Sequence, residues 1–386
     1  MTEWKTYKLG DICIRVCSGG TPKSTEPTYY DGDIPWLNTK EINFNRIYST
    51  ERSITQKGLD NSSAKWIDAN CVIVAMYGAT AAKVAINKIP LTTNQACCNL
   101  SIDEKIADYH YVYYWLCANY TELASLANGG AQQNLNAQQI KDFEISLPPL
   151  EEQRRIAGIL GAIDDKIECN RRINANLELQ AQALFEKMFF ANNEKERGLL
   201  SSYANINPVR SLQQGVNARY IEMANLPTKG SFPADWTFKL FNGGVKFTNG
   251  DTIMARITPC LENGKIAYID FLESEEVAFG STEYIVISAK DGYCPALFYF
   301  LARNKEFVDY AVGHMNGSSG RQRVSGVDIA NFPMPNMLIE ESNEFSLFAM
   351  PIMDVIRRNS LENRTLATLR DTLLPKLMNG EMEEVV

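Results

Sequence analysis

Two short polar stretches carry most of the side-chain chemistry in this chain. Gln132-Gln133-Asn134 follows Asn128-Gly129-Gly130-Ala131, and Arg321-Gln322-Arg323 follows Asn316-Gly317-Ser318-Ser319-Gly320. Arg, Asn and Gln present paired donors, or a donor beside an acceptor, that match the edges of nucleic-acid bases. The neighbouring glycines leave main-chain amides open to close approach by phosphate. An ordinary polar surface loop has a similar composition, but the equivalent placement of the two stretches favours the functional reading. Lys23, Lys40, Arg46, Arg219 and Arg256 are further candidates for contact with nucleic acid, each weak by itself.

Catalytic chemistry has little to draw on. The chain has two histidines, His110 and His314, too few for a metal cage or a histidine-based triad. His110 sits in Asp108-Tyr-His-Tyr-Val-Tyr, which reads as the start of an aromatic-packed helix, so a structural role is expected. His314 precedes the second glycine-rich stretch, where approach to DNA competes with a plain surface role. Gly20-Thr-Pro-Lys-Ser-Thr lacks the spacing of a phosphate loop, and Pro22 removes an amide such a loop would use. Cys13-x-x-x-Cys17 has no second pair to complete a zinc site. Neither a glycine-rich dinucleotide loop nor the Asn/Asp-Pro-Pro-aromatic motif of an amino-methyltransferase is present. The expectation is a non-catalytic chain with no cofactor and no metal.

The elements that must position the polar stretches occur twice. Tyr113-Tyr-Trp-Leu-Cys-Ala-Asn is answered by Phe298-Tyr-Phe-Leu-Ala-Arg-Asn, each ahead of its polar stretch. Ile-x-x-Phe follows at Ile140 and Ile329, and a proline-bearing turn then leads into a long helical pattern. Short strand-like runs such as Cys71-Val-Ile-Val-Ala-Met and Thr252-Ile-Met-Ala-Arg-Ile mix with turns and helices in both globular segments. The implied order is a globule over 1–150, a helix over 151–190, a globule over 191–340 and a helix with its tail over 341–386. Two copies make a tandem duplication of α/β globules and not a solenoid.

The helical patterns are the clearest part of the repeat. Ile156, Leu160, Ile163, Ile167, Asn170, Asn174, Leu177, Ala181, Leu184 and Met188 alternate four- and three-residue steps. Phe345, Ala349, Ile352, Ile356, Asn359, Asn363, Leu366, Arg370, Leu373 and Leu377 repeat those steps. Sustained 4-3 spacing marks a coiled-coil seam. A seam asparagine costs stability and fixes register, because it is satisfied only opposite another polar group. Antiparallel pairing sets Asn170 near Asn363 and Asn174 near Asn359. Each helix would be about 55 Å long at 1.5 Å per residue. Arg370 at a seam position is expected to snorkel or to pair with an acid.

At 386 residues the chain exceeds what one core usually holds. No run of 18 apolar residues is present, so no membrane span is expected. Met1-Thr-Glu-Trp-Lys lacks the basic head and apolar run of a signal peptide, and nine cysteines without framework spacing read as reduced thiols in a cytoplasm. The net charge of -8 argues against a solitary, strong DNA binder. It weighs less against a subunit of a larger DNA-binding machine, or against basic residues clustered locally.

Taken in order along the chain, these features resemble the specificity subunit of Type I restriction–modification systems. The matching pieces are Trp4-Lys-Thr-Tyr-Lys-Leu-Gly-Asp-Ile12, Ser18-Gly-Gly-Thr-Pro22 with Gly32-Asp-Ile-Pro-Trp36, and Leu147-Pro-Pro-Leu-Glu-Glu-Gln153 followed by Ile156. Ile163-Asp164 and Leu373-Leu-Pro-Lys-Leu377 with Gly380 complete the likeness, which covers nearly the whole chain. The resemblance implies two α/β target recognition domains, each reading one half of a split, asymmetric double-stranded DNA sequence. It also implies two long helices paired as an antiparallel coiled coil with pseudo-two-fold symmetry. The implied partners are two methyltransferase (modification) subunits and two restriction subunits with translocase and nuclease activity. S-adenosylmethionine, ATP and magnesium would belong to those partners, and no cofactor to this chain.

Two departures bear on these expectations. The second half lacks the Gly-Gly-Thr-Pro and Ile-Pro-Trp landmarks, so a different subtype of recognition tip is expected there. Its helix entry, Phe332-Pro-Met-Pro335 and then Glu340-Glu341-Ser342, has no glutamine, so the resemblance supports partner contacts at the first helix start more firmly than at the second. Two rival readings are a protein–protein adaptor that touches no DNA, which salt-dependent DNA affinity would discriminate, and a hidden nuclease or methyltransferase within a globule.

Overall fold

The computed structural model describes residues 4–127, 134–191, 194–318 and 320–381. The chain divides into two compact units, Met1–Asp165 with Leu366–Val386, and Lys166–Thr365. The central helix, Leu150–Phe185, and the C-terminal helix, Ile339–Met378, each contribute to both. The boundaries expected at 150, 190 and 340 follow the order along the chain, whereas each unit groups one globule with segments of both helices. Among the described residues no helix is long and apolar enough to cross a membrane.

In the first unit the buried run Val72–Ala75 explains the layering. Successive strand side chains point to opposite faces. Val72 and Val74 therefore join a core with Tyr111, Leu116 and Ile156. Ile73 and Ala75 join a second core with Leu37, Ile42 and Ile47. Burying each valine or isoleucine contributes about 1.5–3 kcal/mol. This strand lies within a five-stranded sheet ordered Cys13–Ser18, Cys97–Ile102, Val72–Ala75, Val84–Asn87, Asn45–Ile47. A second sheet runs Arg52–Ile54, Tyr30–Leu37, Leu91–Thr93, Trp66–Ile67, with antiparallel, parallel and antiparallel pairings in turn. Lys5–Lys8 pairs with Glu144–Leu147 and closes the globule.

The second unit repeats the plan even where its sequence diverges. Its main sheet is ordered Ala204–Ile206, Tyr284–Ala289, Thr252–Ala255, Ile266–Tyr268. Its second sheet, Thr237–Leu240, Asn217–Ile221, Ala278–Gly280, Val245–Phe247, shows the same antiparallel, parallel, antiparallel succession. Tyr220 thus occupies the parallel-pair position that Trp36 holds in the first unit. The landmarks differ in residue type, whereas the strand succession of this second sheet does not; the main sheet has four strands here and five in the first unit, where Asn45–Ile47 is added.

The glutamine at the head of the central helix is structural. Gln153 is only 1% exposed. Its Oε1 accepts from the Asp108 amide at 2.9 Å, and its Nε2 donates to the Pro148 carbonyl at 2.9 Å. Asp108 in turn caps the Tyr109–Ala118 helix, accepting from the amides of His110 and Tyr111. Ser342 stands at the same seam register in the C-terminal helix and is fully buried. Its hydroxyl accepts from the amide of Cys294, the residue that caps the Pro295–Arg303 helix, at 2.8 Å. The two residues perform one task with different side chains. Both are buried and bonded within their own unit.

None of the twenty seam residues is exposed. In the second unit the Asn170 Nδ2 donates to the Asn363 Oδ1 at 3.0 Å and to Glu362 at 2.7 Å. Asn359 donates to the Asn174 Oδ1 at 2.8 Å. The order of these partners is antiparallel. In the first unit Arg370 donates to Asp164 at 2.9 Å, and the Tyr114 hydroxyl donates to the same carboxylate at 2.7 Å. That contact resolves the fate of the seam arginine as an ion pair. Leu377 and Met378 then complete the core of the first unit.

Two outcomes follow for stability. Asn170→Leu leaves the Asn363 amide facing hydrocarbon, which should cost about 1–3 kcal/mol in urea unfolding. Asn170→Leu with Asn363→Leu should recover most of that loss, and an additive double variant would show that the two amides are not coupled. Asp270, near Arg357 of the C-terminal helix, gives a pH signature. Burial pushes its carboxyl up to about 7, with Arg357 opposing and Asp354 reinforcing the shift. Its unfolded value is near 3.9 (about the model-peptide figure). Between these values the folded state keeps a proton that the unfolded state has released. The resulting stability is present below about pH 4 and lost as pH rises through about 7. Asp270→Asn should therefore raise the thermal midpoint at pH 8 more than at pH 4, and equal shifts at both pH values would contradict this.

Candidate nucleic-acid interface

In the second unit the strand Thr252–Ala255 delivers Arg256 to the rim of the main sheet. The Arg256 amide donates to the Glu283 carbonyl at 3.0 Å, and its carbonyl accepts from the Val324 amide at 3.0 Å. Thr258 donates to the Gln322 carbonyl at 3.1 Å. Asn316 and Arg323 exchange amide–carbonyl bonds of 2.9 Å in both directions, closing the glycine-bearing loop at its base. Gly317 and Gly320 have φ of 132° and 79°, which a side chain would strain. The backbone thus gathers Arg256, Arg321, Gln322 and Arg323 at one place.

Their side chains are not equally available. Arg323 is a strut. Its Nε and Nη2 donate to the Glu283 carboxylate at 2.7–3.0 Å and its Nη1 to the Arg321 carbonyl at 3.1 Å. The guanidinium holds the Glu283 carboxyl below its usual range. Arg321 is exposed, Gln322 and Arg256 are half-buried, and the Arg256 Nε is buried without a hydrogen-bond partner.

The first unit builds the same rim. Leu135 donates to the Met76 carbonyl at 2.8 Å, as Val324 does to Arg256. Tyr77 bridges Asn134 as Ile257 bridges Arg323. Asn134 is exposed beside Tyr77, itself 45% exposed. Gln132 and Gln133 lie outside the described residues. Sequence reasoning missed Tyr77; its signal was an aromatic directly after a buried strand run, where the strand leaves the core.

The remaining candidates are dispersed. Lys23 is exposed on a segment fixed by the glycine-rich landmark: the Trp36 indole donates to the Gly20 carbonyl at 2.9 Å, and the Gly20 amide donates to the Thr93 carbonyl at 2.9 Å. A Cβ at Gly19 would come within 2.0 Å of the Thr93 carbonyl oxygen, so that motif is needed for close backbone approach. Lys40 pairs with Glu51. Arg46 pairs with Asp165, and its side chain is 8% exposed. Arg219 pairs with Glu276 at 3.1 Å and lies over the rings of Trp236, Phe238 and Phe271. These three cations have internal partners, Lys23 stands apart on its exposed segment, and Arg256 joins the loop that carries Gly317 and Gly320. His110 is pushed down to about 4 by burial and by Lys88. His314 stacks on Tyr310 and contacts its carbonyl through Nδ1 at 2.8 Å. No cluster of three metal-ligating side chains occurs among the described residues.

Comparison with known proteins agrees with this geometry. Residues 1–179 match the Type I restriction modification DNA specificity domain. The Type I restriction enzyme MjaIX specificity subunit of Methanocaldococcus jannaschii is 25% identical over 419 aligned positions, covering 98% of this chain and 94% of that protein. The EcoR124I/EcoR124II specificity subunit of Escherichia coli is 30% identical over 168 positions, covering 42% of this chain and 41% of that protein. In fold, the chain is similar to the crystal structure of the Type I restriction–modification S subunit from M. genitalium, with a TM-score of 0.59 at 17% identity over 100% of this chain and 97% of that one. The duplicated globules, the paired helices and these likenesses together make the chain similar along its whole length to Type I restriction–modification specificity subunits, with residues 1–179 matching their DNA specificity domain.

Proposed function

We propose that this chain recognises a split, asymmetric double-stranded DNA sequence and directs methyltransferase and restriction subunits to it. The observation that carries the proposal is the duplicated rim. In each unit the main-sheet strand ends at a carbonyl, of Met76 or Arg256, that anchors the return of a polar loop through Leu135 or Val324. Two independent loops on one scaffold suit the reading of two half-sites. On this reading the half-sites lie about one helical turn, roughly 35 Å, apart on the DNA. The paired helices would act as the spacer that sets the number of unread base pairs. Their exposed apolar side chains, among them Leu179, Leu347 and Phe348, suit the docking of two methyltransferase subunits, with two restriction subunits joining the full assembly. Such a complex would work in the cytoplasm, where its DNA is.

Exchanging residues 1–150 for another recognition domain tests independent reading. Methylated sites would be mapped by long-read sequencing in cells expressing the chain with its modification subunit. One half-site should change and the other persist; a change in both would defeat the reading. The adaptor alternative predicts an assembled complex without salt-dependent DNA affinity.

A further inference from the structure

The second unit contains a cleft of about 360 Å³ whose lining includes Arg210, Gly244, Lys246, Arg256 and Thr282. Its charge runs against that of the chain. Arg210, Lys246 and Arg256 line it, Arg210 paired with Asp251 and Arg256 close to the Glu283–Arg323 pair. Both carboxylates are already taken. Asp251, almost fully buried, accepts from Arg210 at 2.6 and 2.7 Å. Glu283 is held by the Arg323 fork. Lys246 donates to the Arg210 carbonyl at 2.9 Å, an uncharged partner. Arg256 keeps a buried Nε with no acceptor among the described residues. A desolvated guanidinium donor without an acceptor is costly, and a charged acceptor satisfies it best.

We infer that this cleft is a phosphate site of the second unit, with Arg256 and Lys246 as the contacting cations and the Glu283–Arg323 pair as the positioning element. The inference rests on the DNA-reading function proposed above and adds the part of DNA that this cleft takes. Recession decides between phosphate and base. Base edges lie at the floor of grooves about 7.5–8.5 Å deep, so a side chain that reads them must project. Phosphates stand on the outside of the duplex and can enter a cleft. Arg256 is half-buried in the cleft, whereas Arg321 is exposed on the loop. At the equivalent position the first unit has Met76, buried and uncharged. The phosphate site is therefore a property of one half of the protein.

The test uses the full chain assembled with its methyltransferase subunits, titrated by fluorescence anisotropy against duplexes carrying the mapped target and against scrambled duplexes, from 50 to 200 mM salt (about the range over which phosphate contacts are resolved). Arg256→Met keeps the aliphatic stem and removes the charge; Lys246→Met does the same for the second cation. Each should weaken binding about ten-fold on both duplexes and make the slope of log K against log salt shallower by about 1. Arg256→Lys should retain the slope. An unchanged slope for a folded Arg256→Met complex overturns the inference, as does a loss confined to the target duplex, which would make Arg256 a base reader. A wild-type complex with no salt-dependent affinity would instead remove the function on which the site depends.

Discussion

Two hydrogen bonds between side-chain amides, Asn170 to Asn363 and Asn359 to Asn174, fix the register of a seam that is otherwise apolar except at Arg370. Apolar side chains at 4-3 spacing interdigitate almost as well after a slip of one heptad, so they supply adhesion without a unique alignment. A slip would bury each carboxamide against hydrocarbon, at about 1–3 kcal/mol for each group left unsatisfied. The device has its own cost: the Asn170 Oδ1 is buried without a partner. Other contacts inherit this register. Gln153 and Ser342 sit on the same two helices and hold the capping amides of Asp108 and Cys294, the residues that begin the first core helix of each globule. Asp164 meets Arg370 on one side and Tyr114 on the other.

The arginines divide into struts and free cations. Arg46, Arg219, Arg303 and Arg323 spend their guanidinium donors on carboxylates, carbonyls or rings within their own unit. Five donors in a rigid fork make Arg suited to joining several strands and turns at once. Arg321 and Arg256 are placed by such struts and are not consumed by them. This division reconciles a net charge of -8 with nucleic-acid recognition. The acidic balance describes the whole chain, whereas binding depends on where positive charge is left uncompensated.

Much of the architecture was legible in the sequence because it depends on periodicity. The 4-3 steps identified the seam, and the position of the asparagines within it gave the antiparallel partners. The matching backbone positions of Asn134 and Arg323 were legible because glycine and hydrogen-bonding residues cluster after matching aromatic runs. The partners of single cations were not. Asp165 is 119 residues from Arg46 and Glu276 is 57 from Arg219, and nothing local announces such pairs. The strand succession at the tip of the second globule was not legible either: Tyr220 stands where Trp36 does without changing it, because the backbone ladder and not the landmark defines the sheet. Gln153 and Ser342 share no chemistry beyond an oxygen acceptor, so their common role emerged only from the geometry.

The proposed function requires that the paired helices hold two independent DNA readers at a set spacing. Inserting one heptad into each helix at matching seam positions tests it directly. Seven residues add about 10.5 Å of helix, which corresponds to about three base pairs at 3.4 Å each. Methylation mapping should show the gap between half-sites lengthened by about that number with both half-site sequences unchanged. Methylation at the original spacing by the lengthened chain would contradict the account.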